Sequence, residues 1–428
     1  MDKPSYLYDL DDRPPFHYNV LYGLQWAFIA FPIVIIMTNM AGAVLQLNIA
    51  GSIRFIQMTF LTTGFFSFVQ TLWGHRYPVL EGPSAALLLT FMLLAPYGLP
   101  AMQGGTIIGG ALLLFIVFTK QLNRVIRLFT PNVVGVILLL IAFGLLMPLL
   151  KFITGVNETY PNGDPVTMMI SLALVFLIAT LSYHLKGFWK SISILIGMIV
   201  GSFAFLLLGR FSWESLAAAS WISFSIPWFD SAPRFFWPTG IAFVCSYLAV
   251  IVNSLGSLQG MAAITDQERL PSAISKGIFV NGIAGIFCGL LGVVGTVSYS
   301  LSPGVVLANR VASRYAVTYC GVILVMAVFI PKLAALLSLM PMPVVGSALC
   351  VAMGGQIGAA ISIIASKTIT PRDYIVVGLP VFMGTLAGLF PGGPFSSLPG
   401  FIQVFFGNSL IVGIVAVLLF EHVLCRDK

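Results

Sequence analysis

Apolar stretches of about 15–23 residues recur along almost the whole chain, separated by short polar or Gly/Pro breaks. Each is close to the length at which a helix crosses a bilayer. Only 8% of the 428 residues are charged and 58% are hydrophobic. A soluble domain carries about a quarter charged residues, so the main solvent for this surface is lipid. The chain reads as an all-α, polytopic membrane protein. The expected spans are 18–38, 53–72, 80–98, 102–119, 130–150, 166–185, 190–209, 237–258, 273–293, 299–313, 316–330, 332–352, 371–390 and 402–424, fourteen in all, with 353–366 as a further short helix. Residues 211–235 form the one long connection. Their SWESLAAASWISF is expected to lie in the interface as an amphipathic helix.

The N-terminal MDKPSYLYDLDDRPPFHYN is acidic and proline-rich, unlike the basic start of a signal peptide, and residues 1–17 are expected as a cytosolic arm. With that end inside, 16 of the 21 Lys and Arg residues fall on the cytoplasmic side. Arg54, Lys151, Arg210, Arg234 and Lys332 fall outside. The bias supports an even number of spans, both termini in the cytoplasm, and a place in the cell (inner) membrane. It also accounts for the net charge of +7 without nucleic acid as a partner. Cys245, Cys288, Cys320, Cys350 and Cys425 are scattered and form no disulfide framework. His17, His75, His184 and His422 lie near span ends without metal-like spacing and are expected as solvated interface residues. With no Walker motif, Ser-His-Asp set or Cys cluster, the reading holds no catalytic residue, metal or cofactor.

Two short stretches break the pattern in matched places: RYPVLEGPSAALLL (76–89) and TVSYSLSPGVVLANR (296–310). Each runs from a β-prone segment through Gly, Pro and Ser into a short helical run. Each is the third span of its half if residues 18–210 and 236–425 are two seven-span repeats. Paired broken segments of this kind point to a transporter site built from inverted repeats. Extended backbone inside a bilayer must find partners within the protein, so segments at about 79–82 and 298–302 are expected to pair. The half-helices that follow then aim free N–H groups and positive dipole ends at one point. Those donors are expected around Ser84-Ala85 and Pro303-Gly304. Because Pro303 has no N–H, Gly304 and Val305 would supply the second set.

With these residues in view, RLPSAISKGIFVNGIAGIFCGLLGVVGTVSYSLSPGVVLANRVASR (269–314) resembles the signature region of the nucleobase–ascorbate transporters, the nucleobase:cation symporters that include xanthine and uracil permeases. DDRPPFHYNVLYGLQWAF and the GPS of the third span extend the likeness, and the chain is similar to a divergent member. The resemblance implies a fourteen-span inverted-repeat fold. A core of spans 1–4 and 8–11 would move against a gate of spans 5–7 and 12–14. The solute would lie between the half-helices and the eighth span. The implied activity is symport of a purine or pyrimidine base, uracil- or xanthine-like, with a proton or sodium ion, commonly by a homodimer.

This sequence departs from the family pattern at the positions that grip a base. The first-span Gln-His becomes Gln25-Trp26, the eighth-span acid falls on Asn253, and the tenth-span acid-or-Gln with Asn becomes Leu301-Ser302; Tyr299 and Gly304 keep the pattern. The expected substrate-binding set is therefore Asn253, Tyr299, Ser302, Gly304, Val305, Ser84, Ala85 and Gln25. Phe243 and Tyr247 precede Asn253 on the same helix and are further candidates for lining the pocket. Aligning Gly82-Pro83 with Ser302-Pro303 sets Glu81 opposite Leu301. Glu81 is the one carboxylate expected near the membrane middle, and a residue so costly there is read as the proton-coupling group or, alternatively, as a tie to the backbone or Arg76. Loss of the family's acids also leaves open a transporter of a small organic or inorganic anion on the same fold. A membrane enzyme or a passive channel fits these features less well.

Overall fold

Lipid offers no hydrogen bonds, so an apolar chain satisfies its backbone in helices, and the local signals fix where these begin. The computed structural model describes residues 6–156, 160–210, 216–217, 219–224, 231–389, 402 and 405–426. The first half comprises α1 (Phe16–Val44), α2 (Ile49–Leu72), β1 (Glu81–Pro83), α3 (Ala85–Leu94), α4 (Leu99–Phe118), α5 (Leu122–Arg127), α6 (Pro131–Gly144), α7 (Leu146–Thr154), α8 (Pro165–His184), α9 (Gly187–Ser191) and α10 (Ser193–Leu207). The second comprises α11 (Trp237–Ile264), α12 (Leu270–Leu291), β2 (Thr296–Ser298), α13 (Ser302–Asn309), α14 (Arg314–Ala327), α15 (Pro331–Ser338), α16 (Met342–Ile364), α17 (Pro371–Leu389) and α18 (Ser409–Leu419). Proline opens α6 and α8, where its missing N–H costs nothing. Thr130 and Asp164 cap the same two helices by accepting from Val133 and from Val166 and Thr167.

Among the described residues, eight helical segments, one of them α6 together with α7, are long and apolar enough to span a membrane. The bent pair α14–α15, the shorter apolar segments beginning at Ala85, Ser193 and Ser409, and α2 and α13 bring the described segments to fourteen. Two helix groups result. In one, α4 packs on α11 and α12, while α14 packs on α1 and α2. In the other, α6 packs on α16, α17 and α18, and α8 on α10 and α16. The groups meet where α1 touches α10 and α16, and where α3 touches α6.

The expected twelfth span, 332–352, is not a span. Pro331–Ser338 turns 92° away from α14, and the membrane helix is Met342–Ile364, which absorbs the separate short helix expected at 353–366. Pro331 and Pro341 punctuate this region, and the apolar run continues through both. The tenth span is likewise only a half-helix, Ser302–Asn309. Of the interfacial helix expected in SWESLAAASWISF (212–224), only Leu216 and Ala217 are helical among the described residues and 219–224 is not, while 211–215, 218 and 225–230 lie outside them. The last expected span, 402–424, has its long helix starting only at Ser409, with 403–404 outside the described residues.

The N-terminal arm straps the first group at the end where the chain starts. Tyr8 bridges Val311 in parallel, Leu7 N–H donates to Arg310 O (2.8 Å), and Ala312 N–H donates to Tyr8 O (2.9 Å). Asp11 accepts from Arg269 (2.6 Å) and Arg314 (2.7 Å). In the second group, Asn132 donates to both Asp373 (2.7 Å) and Glu421 (3.1 Å), with Lys367 beside Asp373 (2.9 Å). These contacts tie the starts of α6 and α17 to the helical turn Phe420–Leu424 that follows α18.

Candidate functional site

Pro78 and Pro83 forbid helix across the first break, and the β-branched Val293, Val294, Thr296 and Val297 favour extension in the second. The two strands pair antiparallel with Glu81 opposite Ser298, Gly82 opposite Val297 and Pro83 opposite Thr296. All six residues are buried. The strands are thus offset by a few residues from the expected 79–82 and 298–302. The ladder continues past them through Ser84 N–H to Gly295 O and Tyr299 N–H to Leu80 O, both 2.9 Å. Side chains from flanking helices complete it: Glu81 N–H donates to Ser67 Oγ on α2 (3.1 Å), and Ser257 Oγ on α11 donates to Ser298 O (2.7 Å). In this way extended backbone is satisfied inside a bilayer.

α3 and α13 leave the strand pair with donors unspent. Ser84 caps α3 without a side-chain bond, and the N–H groups of Ala85, Ala86 and Leu87 have no partner among the described residues. In α13 the position is tighter. Ser302 N–H turns back to Tyr299 O (3.2 Å) and Val305 N–H to Leu301 O (3.2 Å), so Gly304 carries the free donor. Val305 N–H, expected as a second donor, is taken by the first turn of the helix. Nothing lies within 4 Å of where a Cβ on Gly304 or Gly256 would sit, and Ser300, Gly304, Gly256 and Gln259 are exposed.

The expected side chains divide. Asn253 and Gln25 are half-buried, and neither side chain has a hydrogen-bond partner among the described residues. Ser302 is fully buried with its Oγ accepting Leu80 N–H (3.2 Å), so it braces the strand. Tyr299 donates its hydroxyl to Pro83 O (3.1 Å) and lies across Gly82, where a Cβ would collide with the ring. Phe243 and Tyr247 are core packing: Phe243 meets Phe91 edge-on at 5.5 Å, and Tyr247 fills the space left by Gly109, Gly285 and Gly295.

Glu81 is fully buried. Its Oε1 accepts Ser298 Oγ (2.5 Å), Oε2 has no partner among the described residues, and His75 Nε2 stands 3.6 Å from Oε1. Two expectations change here. The first residues of α3 and α13 are Ala85 and Ser302, which sets Glu81 level with Ser298, its pairing partner, and Ser84 level with Leu301. His75, expected as a solvated interface residue, is fully buried beside Glu81. It follows the end of α2, but the chain folds inward there: His75 N–H reaches Gln70 Oε1 (3.3 Å), and Gln70 Nε2 donates to Asn281 Oδ1 (2.8 Å). Asn281 in turn donates to Ser254 (2.9 Å), the neighbour of Asn253. The only sequence signal for His75 was its place six residues before Glu81 in the run that enters the break.

Residues 17–393 match the sequence profile described as the Permease family, that of xanthine and uracil permeases. The chain belongs to this family. It is 26% identical to the uric acid permease PucK of Bacillus subtilis over 402 residues, 92% of each chain. It is 23% identical to the xanthine permease of the same organism (91% of this chain, 90% of the other). It is 26% identical to the uracil permease of Bacillus caldolyticus (81% and 79%). The fold matches the transmembrane domain of the cyanobacterial bicarbonate transporter BicA, with TM-score 0.62 and 13% identity over 95% of this chain and 98% of that one. It also matches the murine anion transporter Slc26a9 in its inward-facing state, with TM-score 0.63 and 12% identity over 97% and 69%. This permease therefore has the inverted-repeat transporter fold, broken at spans 3 and 10, and it is a transporter rather than an enzyme.

Proposed function

We propose that this permease is a secondary active transporter of a purine or pyrimidine base, with an oxopurine such as uric acid or xanthine as first choice. The β1–β2 pair carries the reading: it starts α3 and α13, whose Ala85, Ala86, Leu87 and Gly304 N–H groups have no partner among the described residues, and both helices pack on α11, which bears the half-buried amide of Asn253. Ring carbonyls of a base accept such donors, and Asn253 both donates and accepts. Gln25 is the second unpaired amide offered to the solute. Relatives named for uric acid, xanthine and uracil support the solute class.

In this proposal α1–α4 and α11–α14 form a core that moves against a gate of the remaining spans, with the cytoplasm on the side of both termini in the cell inner membrane. The exposure of Ser300, Gly304, Gly256 and Gln259 supports access from that side. Glu81, buried beside the mouth of α3, binds the coupling proton; sodium is the alternative ion. Two chains form the working unit. A small anion is a second reading, favoured by one observation: four N–H groups at the half-helix mouths without a partner among the described residues, and no carboxylate at Asn253 or Leu301. The test is uptake of radiolabelled uric acid, xanthine and uracil by purified full-length protein in liposomes under an imposed pH gradient. Saturable uptake that unlabelled bases compete away supports the proposal. Competition by bicarbonate or nitrate alone favours the anion reading. No uptake of any of the three sinks the base reading.

A further inference from the structure

Buried histidines in a membrane core have no bulk water to choose their tautomer, so fixed neighbours choose it. His75 Nδ1 accepts the backbone N–H of Tyr77 at 3.0 Å. That N–H is always a donor, so neutral His75 must carry its proton on Nε2. Nε2 has no hydrogen-bond partner among the described residues and lies 3.6 Å from Glu81 Oε1, with both side chains 0% exposed. The ring is held on its other flank as well. Its backbone N–H is bound by Gln70, and Tyr77 OH donates to Asp266 O. A small side-chain movement would close a hydrogen bond from Nε2–H to the carboxylate.

We infer that His75 is the positioning residue of the coupling site, a neutral donor that meets the ionised form of Glu81 when it gives up its proton. Two oxygens of a buried carboxylate need donors. Ser298 supplies one, and Oε2 has none among the described residues. A donor facing the pair helps the ionised form more than the protonated form, and so fixes the pH at which the proton leaves. His75 is not itself the proton carrier, because charging it requires Nδ1 to abandon the Tyr77 N–H. The other titratable group against Glu81 is Tyr299 on the strand side, and its hydroxyl is committed to Pro83 O. Of the elements packed on β1, α1 carries His17, Tyr18 and Tyr22 near its start and α2 carries Arg54 near its start; none of these ion-pairs with Glu81. Behind the pair, α11 carries Cys245 and Tyr247, and α12 carries Lys276 and Cys288, again without an ion pair to it.

The inference rests on Glu81 as the proton-binding group, and its test needs no solute. Infrared difference spectra of purified full-length protein would follow the protonated-carboxyl band against pH, with Glu81→Gln identifying the band by its loss. In His75→Phe the band should persist to a pH about one unit higher than in wild type, a tenfold change in proton affinity. His75→Asn, too short to reach the carboxylate, should do the same and guards against a misfolded Phe variant. His75→Gln, which keeps a donor of suitable reach, should restore more than half of the difference. A wild-type midpoint in both His75→Phe and His75→Asn would overturn the inference. So would a Gln variant displaced as far as the Phe variant, or a Glu81 band that does not titrate between about pH 4 and pH 10. Absence of base uptake in liposomes would instead strike the proposed solute and leave this titration to be judged alone.

Discussion

Gly82 is the point where the strand pair has no room to spare. A Cβ built there would lie 2.5 Å from Tyr299 Cζ and 2.7 Å from Cε2, and closer still to the hydroxyl, whereas ordinary contact begins at 3.4 Å. In Gly82→Ala the ring must therefore retreat by about 1 Å, and it cannot do so freely. Tyr299 is 8% exposed, its N–H is bound to Leu80 O, and its hydroxyl is bound to Pro83 O. Overpacking of this kind costs about 1–3 kcal/mol. Losing the hydroxyl bond adds about 1 kcal/mol. The expected loss is about 2–4 kcal/mol, roughly 30- to 700-fold in the folded-to-unfolded ratio. Equilibrium unfolding in mixed micelles reads the effect. The control is Tyr299→Leu, in whose background Gly82→Ala should cost less than about 1 kcal/mol, because the two sites couple through the ring. A cost below about 1 kcal/mol in the wild-type background, or the same cost in both backgrounds, would refute the argument that the ring sets the need for glycine.

Three further outcomes follow from the same geometry. Glu81→Gln should still exchange solute across liposome membranes yet lose accumulation driven by a pH gradient; full gradient-driven uptake would make Glu81 a structural tie to Ser298 and His75. Asn253→Ala should weaken solute binding by about 1–3 kcal/mol, or about 5- to 150-fold in Kd, measured as ligand-dependent thermal stabilisation. Asp11 is held below the usual carboxylate range, first by its hydrogen bond from Arg269 and then by Arg314, against the opposing effect of burial. A lowered carboxyl stabilises the folded arm above its unfolded value, near 3.8, and that contribution fades as the pH falls further. Limited proteolysis of the arm should therefore accelerate below about pH 4 in wild type, while Asp11→Asn should be cut faster at neutral pH and show less acid dependence.

Length and hydropathy alone determined that the chain spans the membrane many times, because lipid leaves an apolar segment no alternative to helix. The two Gly/Pro/Ser breaks also revealed themselves, since proline and glycine act locally and their matched positions need no knowledge of contacts. Glu81 stood out for the same reason: its chemistry conflicts with its surroundings within the sequence itself. The rest depended on which distant segments meet. Pairing register set Glu81 across from Ser298, and a register is a relation between two strands more than 200 residues apart. The first turn of α13 consumed the Val305 N–H, which residue identity does not encode. The bend after α14 moved the twelfth span to Met342–Ile364, although the apolar run through it is continuous. His75 shows the limit most plainly. Its sequence neighbours suggest an interface, and only the inward fold of residues 73–80 onto Gln70 and Glu81 buries it, because burial is decided by what packs around a side chain and not by the residues beside it in the chain.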